Sequence, residues 1–596
     1  MKELEYPFDS KYIIGKKLKL KKLLKNDSLK RVSKKIAILG GSTTNDVKQC
    51  IELFLLNYGI EPVFYESEYN QYYNDSLFPP EELLAFQPDI IYIYTTNRNI
   101  TRFPEIADVP EIIDSLINSE CSKFEAMWKN LTSVFHCPIV QNNFEKPFYR
   151  LLGNKDASDI HGRVNYINRL NQKWYEYAQM NEDFYICDLD YISSDFGLST
   201  WHDTQNWYMY KYAMSLQAIP YLAFNVANII KSIFGKNKKG FVLDLDNTLW
   251  GGVIGDDGVE NIEIGPEEAI GQAYLEFQQY LKEHTQLGII LNVDSKNEEE
   301  NAIAGLNHPA GVLKPKDMIV IKANWNPKDQ NFIQIASELS LLPESLVFVD
   351  DNPAERHIVA EQLPGVAAPD IGGVQDYIRI IDRSGFFETT VLSSDDAKRN
   401  QMYKENAERA QQKAKFENYH EYLVSLEMKG TIRPFEPVLM ARIVQLSNKS
   451  NQFNLTTKRY TKDEVEAIAL DERYIDLYGK LEDRFGDNGV VSVVIGCQHE
   501  DIVEIELWAM SCRVLKRDFE YAMMDEFISI CRKKRINKVV GRYLPTVKNS
   551  MVKDFYGLHG FVKTNENENG NTVWELIVSN YEPKNTVIHV NGGNEL

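Results

Sequence analysis

The chain has 596 residues, a formal net charge of −20 and an ordinary globular mix of 43% hydrophobic, 26% charged and 11% aromatic residues. That length predicts two to four domains rather than one core. The acidic balance argues against nucleic acid as a general partner, because a phosphate backbone needs a basic footprint.

In chain order, Lys16–Lys25 (KKLKLKKLLK) reads as an amphipathic helix, most simply a solvated face leading into the first domain, with its basic side open to an acidic partner. Lys35–Leu39 reads as a strand ending in Gly40-Gly41-Ser42-Thr43-Thr44, and Ile90–Tyr94 and Phe184–Asp188 as further strands. A last helix, Met214–Phe234, runs into the polar break 235–240. The second block alternates again: strand Phe241–Leu245, helix Glu267–His284, strand Gly288–Val293, helix Asp329–Leu339, strand Ser345–Val349. Such alternation predicts doubly wound α/β domains with parallel sheets. A charged helix, Asp395–Glu417, leads to a third, α+β block: a hairpin-like pair (Gly489–Ile495, Ile502–Trp508), a helix (Phe519–Lys533), a strand (Lys538–Tyr543) and a helix (Lys548–Leu558). The expected domains are therefore 1–235, 236–385 and 386–580, with 581–596 a disordered tail. The seven cysteines show no CxxC spacing, so neither a disulfide framework nor a zinc site is expected. No run of 18 apolar residues suggests a membrane span, and MKELEYPFDS lacks the apolar core of a signal peptide. The cytoplasm is the expected compartment.

The chemistry concentrates in the second block. Asp244-Leu245-Asp246-Asn247-Thr248 follows a strand directly, and period-two geometry sends Asp244 and Asp246 to one side. Ligands of open α/β sheets bind at the carboxyl ends of strands, where this pair falls. One carboxylate can attack phosphorus while the other protonates the departing oxygen, and a cation is needed to hold both near an anionic phosphate. Asp294-Ser295-Lys296-Asn297 ends the next strand and offers a hydroxyl, Lys328 opens a helix and can neutralise phosphate charge, and Asp350-Asp351-Asn352 offers hard oxygens suited to Mg²⁺.

These four pieces resemble the four motifs of the haloacid dehalogenase (HAD) superfamily. The resemblance implies that Asp244 is the nucleophile and a Mg²⁺ ligand, and that Asp246 is the general acid/base and lends the metal its main-chain carbonyl. It implies that Ser295 and Lys328 hold phosphoryl oxygens, that Asp350 binds the metal and that Asp351 helps through water. Thr248, Asn297 and Arg356 are further candidates for the substrate site. Only a short segment separates Thr248 from the following helix, so no cap domain is expected and the pocket should be open.

More narrowly, FVLDLDNTLWGGVIGDDG, DSKNEEE, NWNPK and FVDDNPAER resemble HAD subfamily IIIC, the FkbH-like proteins, and the resemblance continues through SNKSNQFNLTTKRY, DRFGDNGVVSVV and WAMSCRVL. It implies an enzyme that dephosphorylates a phosphorylated three-carbon acyl donor, 1,3-bisphosphoglycerate, and loads the glyceryl unit onto the phosphopantetheine thiol of an acyl carrier protein for polyketide or surface-glycan biosynthesis. The family commonly has Cys where this chain has Asp294, so the resemblance offers Cys512 as a candidate acyl acceptor, beside its reading as a small buried residue, with direct attack by the carrier thiol or a different acyl group as the alternatives. The third block resembles GNAT acyltransferases, yet Arg513–Asp518 lacks the glycines of that family's pyrophosphate loop. The first block resembles an SGNH hydrolase through Ser42, Asn97 and His202. Ser199 stands where the triad acid is expected, so a docking or structural role is favoured over an esterase. The alternatives are a plain HAD phosphatase acting on a small phosphorylated metabolite and, less favoured, a non-enzymatic scaffold.

Overall fold

In a computed structural model the chain forms two compact units, Met1–Ile233 with Glu388–Val391, and Phe234–Phe387 with Leu392–Leu596. The structure describes every residue except 28, 393, 414, 451, 547 and 592–596, and leaves aside the side chains of 394–398, 410, 411, 449 and 512. The first boundary falls beside the polar break read from the sequence. The expected second and third domains lie in one unit.

The first unit is built on five strands, β1 (Val32–Gly40), β2 (Ile60–Glu66), β3 (Ile90–Tyr94), β4 (Ile139–Asn142) and β5 (Phe184–Cys187), in the order β2-β1-β3-β4-β5. All pairings are parallel. The second half of β1 and all of β3 are buried, as strands covered on both faces must be. Helices Pro110–Phe135 and Arg163–Met180 bring Phe124, Trp128 and Trp174 against Leu39, Ile91 and Ile93. The last helix begins at Ile219, later than expected, with Pro220 in its first turn where a missing N–H costs nothing.

The basic N-terminal helix, Ser10–Lys25, is capped by the Asp9 carboxylate and buries Ile13, Leu20 and Leu24. Part of its positive charge is answered inside the unit. Lys17 pairs with Asp46, Lys21 with Glu52 at 2.7 Å and Lys25 with Glu61 at 3.2 Å.

The second unit holds two sheets. The smaller comprises β6 (Gly240–Leu243), β7 (Ile290–Ser295), β8 (Met318–Ala323) and β9 (Leu346–Val349), all parallel, in the order β8-β7-β6-β9. Because β7 and β9 flank β6 on opposite sides, the strand order reverses at β6, and such a switch point opens a crevice at the carboxyl ends.

The larger, nine-stranded sheet contains β10 (Lys429–Arg433), β11 (Phe453–Asn454), β12 (Tyr474–Asp483), β13 (Gly486–His499), β14 (Ile502–Met510), β15 (Lys538–Tyr543), β16 (Val562–Glu566), β17 (Thr572–Ile577) and β18 (His589–Asn591). It is mixed: β12, β13 and β14 run antiparallel and β15 joins β14 in parallel. Helix Phe519–Lys533 packs Phe519, Met523 and Phe527 into its core. Two expectations differ here. Instead of one helix over 548–558 there are two short turns, Ser550–Val552 and Phe555–Leu558. Asn549 amide bonds to the carbonyls of Asn454 and Leu544, both 2.9 Å, compete with helical pairing. The expected disordered tail is ordered through residue 591. The Asp525 carboxylate accepts from the main-chain N–H of Lys584 and of Asn585, both at 2.9 Å, and β18 then pairs in parallel with β10. Residues 592–596 lie outside the described residues.

Candidate active site

The smaller sheet decides which side chains meet. Leu243 is in register with Val349 on one side and Val293 on the other, so Asp244, Asp350 and Asp294 leave neighbouring strands at one level. The Asp244 N–H donates to the Val349 carbonyl at 2.9 Å, which locks that alignment. Carboxylate oxygens of Asp244, Asp350 and Asp351 then all lie within 4.8 Å of one another. Three hard, anionic oxygens at that spacing fit a small divalent cation. Asp351, expected to act through water, belongs to this group directly.

Lys328 enters the cluster from the start of helix Lys328–Glu338, its Nζ 2.5 Å from Asp350 and 3.0 Å from Asp244. Burial would lower the lysine pKa, but the two carboxylates outweigh it and hold the ammonium above the ordinary lysine range. Burial first, and then the Asp244 charge, raises Asp350 and Asp351.

The Asp246 carboxylate is held beside that cluster by its own set of donors. It accepts from Trp250 Nε1 at 2.9 Å, Ile254 N at 3.1 Å and Asn297 Nδ2 at 2.7 Å. Burial nevertheless raises its pKa above the ordinary carboxylate value, and this favours the protonated form a general acid needs. The turn between the two aspartates requires Asn247 at φ 55°, and its carbonyl is held by the hydroxyls of Tyr274 (3.3 Å) and Tyr377 (3.0 Å). Thr248 supports the neighbouring loop, its hydroxyl accepting from the Asp351 N–H at 3.1 Å. Ser295 is buried at the end of β7, 3.5 Å from Asn297 Nδ2.

Arg356 has a different task from the expected one. Its guanidinium donates to the Asp350 and Asp351 carbonyls at 2.7 and 2.8 Å and to the Asp370 carboxylate at 2.7 Å. It therefore orients the metal-facing loop rather than reaching a substrate. Sequence reading missed Trp250, Asn331, Tyr274 and Tyr377, and only the DxDxT frame around Trp250 hinted at any of them.

Asp294 is fully buried; Asn331 Nδ2 donates to its Oδ1 at 3.0 Å, and its Oδ2 has no partner. Desolvation pushes its pKa up to about 8. Among the described residues, no domain is inserted between Thr248 and helix Ala269–Gln286. Residues 249–268 form a loop with one short helix, Ile254–Asp257, and Trp325 stands 69% exposed on the loop after β8, bonded to Glu298 at 2.8 Å.

Elsewhere the expected residues do not assemble as catalytic groups. In the first unit Ser42 Oγ forms no hydrogen bond, and His202 Nε2 is bound to the Lys146 carbonyl at 3.1 Å. A serine hydrolase needs its serine on that imidazole and a carboxylate behind it. Neither is present among the described residues. The Asn97 amide donates to the Lys146 carbonyl at 3.2 Å. In the larger sheet, the Arg513–Asp518 stretch that stands in place of a pyrophosphate loop turns inward, with Arg517 donating to Asp483 at 3.0 Å and to Asn406 at 2.7 Å. The side chain of Cys512 lies outside the described residues.

Residues 35–231 match the model of the FkbH N-terminal domain. That match lies within the first unit. The chain is also similar to a solved structure of the N-terminal part of BF1531 from Bacteroides fragilis, which contains a phosphatase domain and is complexed with Mg, at 29% identity and a TM-score of 0.58. That match covers 63% of this chain and 99% of the other. Ard1 from Thermoplasma volcanium is similar over 25% of the chain and 97% of its own, with 22% identity and a TM-score of 0.20. The ribosomal-protein-S18-alanine N-acetyltransferase from Escherichia coli is similar over 25% and 94%, with 13% identity and a TM-score of 0.20. No curated protein matches the chain. Among the described residues no helix is long and apolar enough to cross a membrane.

Proposed function

We propose that the chain is a Mg²⁺-dependent phosphoryl-transfer enzyme that removes phosphate from a phosphorylated three-carbon acyl donor and delivers the acyl unit to the phosphopantetheine thiol of an acyl carrier protein. The observation that carries the phosphoryl step is the convergence of Asp244, Asp350 and Asp351 around one cation-sized space, with Lys328 beside it. The Mg-containing phosphatase domain of the similar BF1531 structure supports the same metal. Those three carboxylates would hold Mg²⁺, which neutralises phosphate charge when bound.

An Asp244 oxygen attacks the phosphorus of the donor's phosphate ester, the bond to the ester oxygen breaks and the Asp246 carboxyl gives that oxygen its proton. Water then attacks the aspartyl-phosphate, its proton passes to the Asp246 carboxylate, and inorganic phosphate leaves with Asp244 restored. The separate acyl phosphate is kept for the carrier thiol, whose attack on its carbonyl carbon forms the thioester and releases inorganic phosphate. Trp250, Ile254 and Asn297 keep Asp246 aimed through both steps. Lys328 balances the phosphoryl oxygens, and Ser295 offers them a hydroxyl.

Acyl delivery is supported by the absence of a cap, the exposed Trp325 at the same end of the sheet and the match to the FkbH N-terminal domain. The test combines purified chain, Mg²⁺, 1,3-bisphosphoglycerate and a phosphopantetheinylated carrier, with phosphate assay and intact-mass measurement of the carrier. Phosphate release with mass gain on the carrier is expected. Release without mass gain reduces the reading to a phosphatase, and no release removes it. Asp244→Asn should lose at least ~10³-fold in rate, because an amide cannot attack phosphorus. A near-normal rate in that variant refutes the nucleophile.

A further inference from the structure

The first unit presents a surface that the phosphoryl chemistry does not use. It lies at the carboxyl ends of β1, β3 and β4 and includes helix Thr204–Tyr210. Contacts tie these pieces together. Arg98, after β3, stacks over the Trp207 ring at 4.7 Å, and Lys211 approaches the same ring at 5.4 Å. Thr43, after β1, donates its N–H to the Lys211 carbonyl at 3.1 Å and its hydroxyl to the Tyr210 carbonyl at 2.6 Å. In the loop after β4, the Phe148 ring meets the His202 ring edge-on, 5.9 Å between centroids. The neighbouring Asp203 caps the helix, accepting from the Asn206 N–H at 2.9 Å.

The helix is unusual in what it leaves open. A seven-residue helix is too short to persist alone and is ordinarily held by an apolar face against a core. Here none of its residues is buried; Tyr208 is 73% exposed, and Met209 and Tyr210 are more than half exposed. In the adjoining loop Phe148, Tyr149 and Leu151 are also more than half exposed. Single exposed apolar residues are ordinary, but six on two touching segments form the kind of patch that marks an interaction site.

Charge narrows the partner. The chain has a net charge of −20, yet the segments 97–103, 148–155 and 204–212 contain no Asp or Glu. Arg98, Arg150, Arg163 and Lys211 make no ion pair among the described residues. Arg163 stacks on Tyr149 at 4.4 Å and on Phe103 at 4.9 Å. The nearby carboxylates are already engaged, Asp190 by Lys146 at 2.6 Å and Asp159 by His161 at 2.7 Å. Cations without carboxylates, set among exposed rings, complement a partner that is acidic and apolar at once. Single-stranded nucleic acid also uses cations and rings, but the overall charge of −20 opposes a polyphosphate.

We propose that this aromatic, cationic surface of the first unit docks an acidic face of the acyl carrier protein. The choice of occupant rests on the proposed function, in which the carrier is the one macromolecular participant. The contact is non-covalent and engages the body of the carrier rather than its phosphopantetheine.

The test measures binding to the full chain of the carrier used in the loading assay, fluorescently labelled and with its phosphopantetheine serine unmodified, by anisotropy. Mass gain on the loaded form of the carrier is followed in parallel. Tyr208→Ala should weaken binding about fivefold or more, as loss of an aromatic contact does at interfaces. Arg150→Glu should weaken it about tenfold at low salt and less at high salt. Both should raise KM for the carrier, while phosphate release without carrier and thermal unfolding stay as in wild type. Lys16→Glu, the same charge change on the exposed face of helix Ser10–Lys25, should bind as wild type. Weakened binding by the two surface variants supports the docking site even where no mass gain occurs, a result that removes the transfer reading alone. Mass gain with wild-type binding by both variants overturns the docking site and leaves transfer standing. No binding by wild type at ~1 mM carrier, or equal weakening by Lys16→Glu, also overturns it. So does tighter binding of an oligothymidylate than of the carrier, or a wild-type dimer in light scattering that Tyr208→Ala dissociates.

Discussion

Asp294 offers the sharpest quantitative check on the active-site geometry. Its carboxyl is fully buried, one oxygen is unpartnered, and its pKa is pushed up to about 8. In the unfolded chain an aspartate ionises near ~3.9. Because the folded value is the higher one, the stability linked to this proton is complete below pH ~4 and is lost as pH rises through about 8. Between pH 5 and pH 7 the unfolded form is ionised and the folded form is not. Stability therefore falls by ~1.4 kcal/mol per unit, or about 3 kcal/mol over that interval. Asp294→Asn removes the titration. Hydrogen exchange at the β7 amides, with a chelator present, reads the opening free energy of this strand directly. Relative to wild type, the variant should gain about 3 kcal/mol on going from pH 5 to pH 7. Parallel curves for the two proteins would show that the carboxyl ionises normally, and the argument from burial would be wrong.

Arg356→Met should weaken the apparent Mg²⁺ affinity about 10- to 100-fold, measured from the metal dependence of phosphate release, because the Asp350 and Asp351 carbonyls lose their clamp. KM for the phosphorylated donor at saturating metal should stay within about twofold. A large KM rise with unchanged metal dependence would return Arg356 to the substrate. In the larger sheet, Asp483→Asn leaves the buried guanidinium groups of Arg409 and Arg517 without their carboxylate, bonded now at 2.7 and 3.0 Å. About 3–5 kcal/mol of stability should be lost in denaturant unfolding, and a loss below ~1 kcal/mol would mean that neighbouring amides suffice.

Much of the active site was legible because its motifs are local. Asp244, Asp246 and Thr248 sit in one turn, and each of Ser295, Lys328 and Asp350 is announced by an adjacent apolar strand or helix start. The partners that orient them were not. Trp250 and Asn297 reach Asp246, and Asn331 reaches Asp294 from a helix 37 positions away. Arg356 looked available to substrate because a guanidinium so close to the metal loop can face either way. Only its distances to two carbonyls assign it inward. The ordered tail was missed for a similar reason, since its anchor is the carboxylate of Asp525 on a distant helix rather than any pattern of its own.

What the sequence by itself determined is the strand–helix alternation and the identity of the chemical groups, since both depend on residues within a few positions of one another. The convergence of Asp244 with Asp350 and Asp351 and the inward-facing arginines were decided only by tertiary structure. The physical reason is that strand order, register and desolvation are properties of the packed sheet. A carboxylate's neighbours across 100 residues of chain are chosen there, not by the residues beside it.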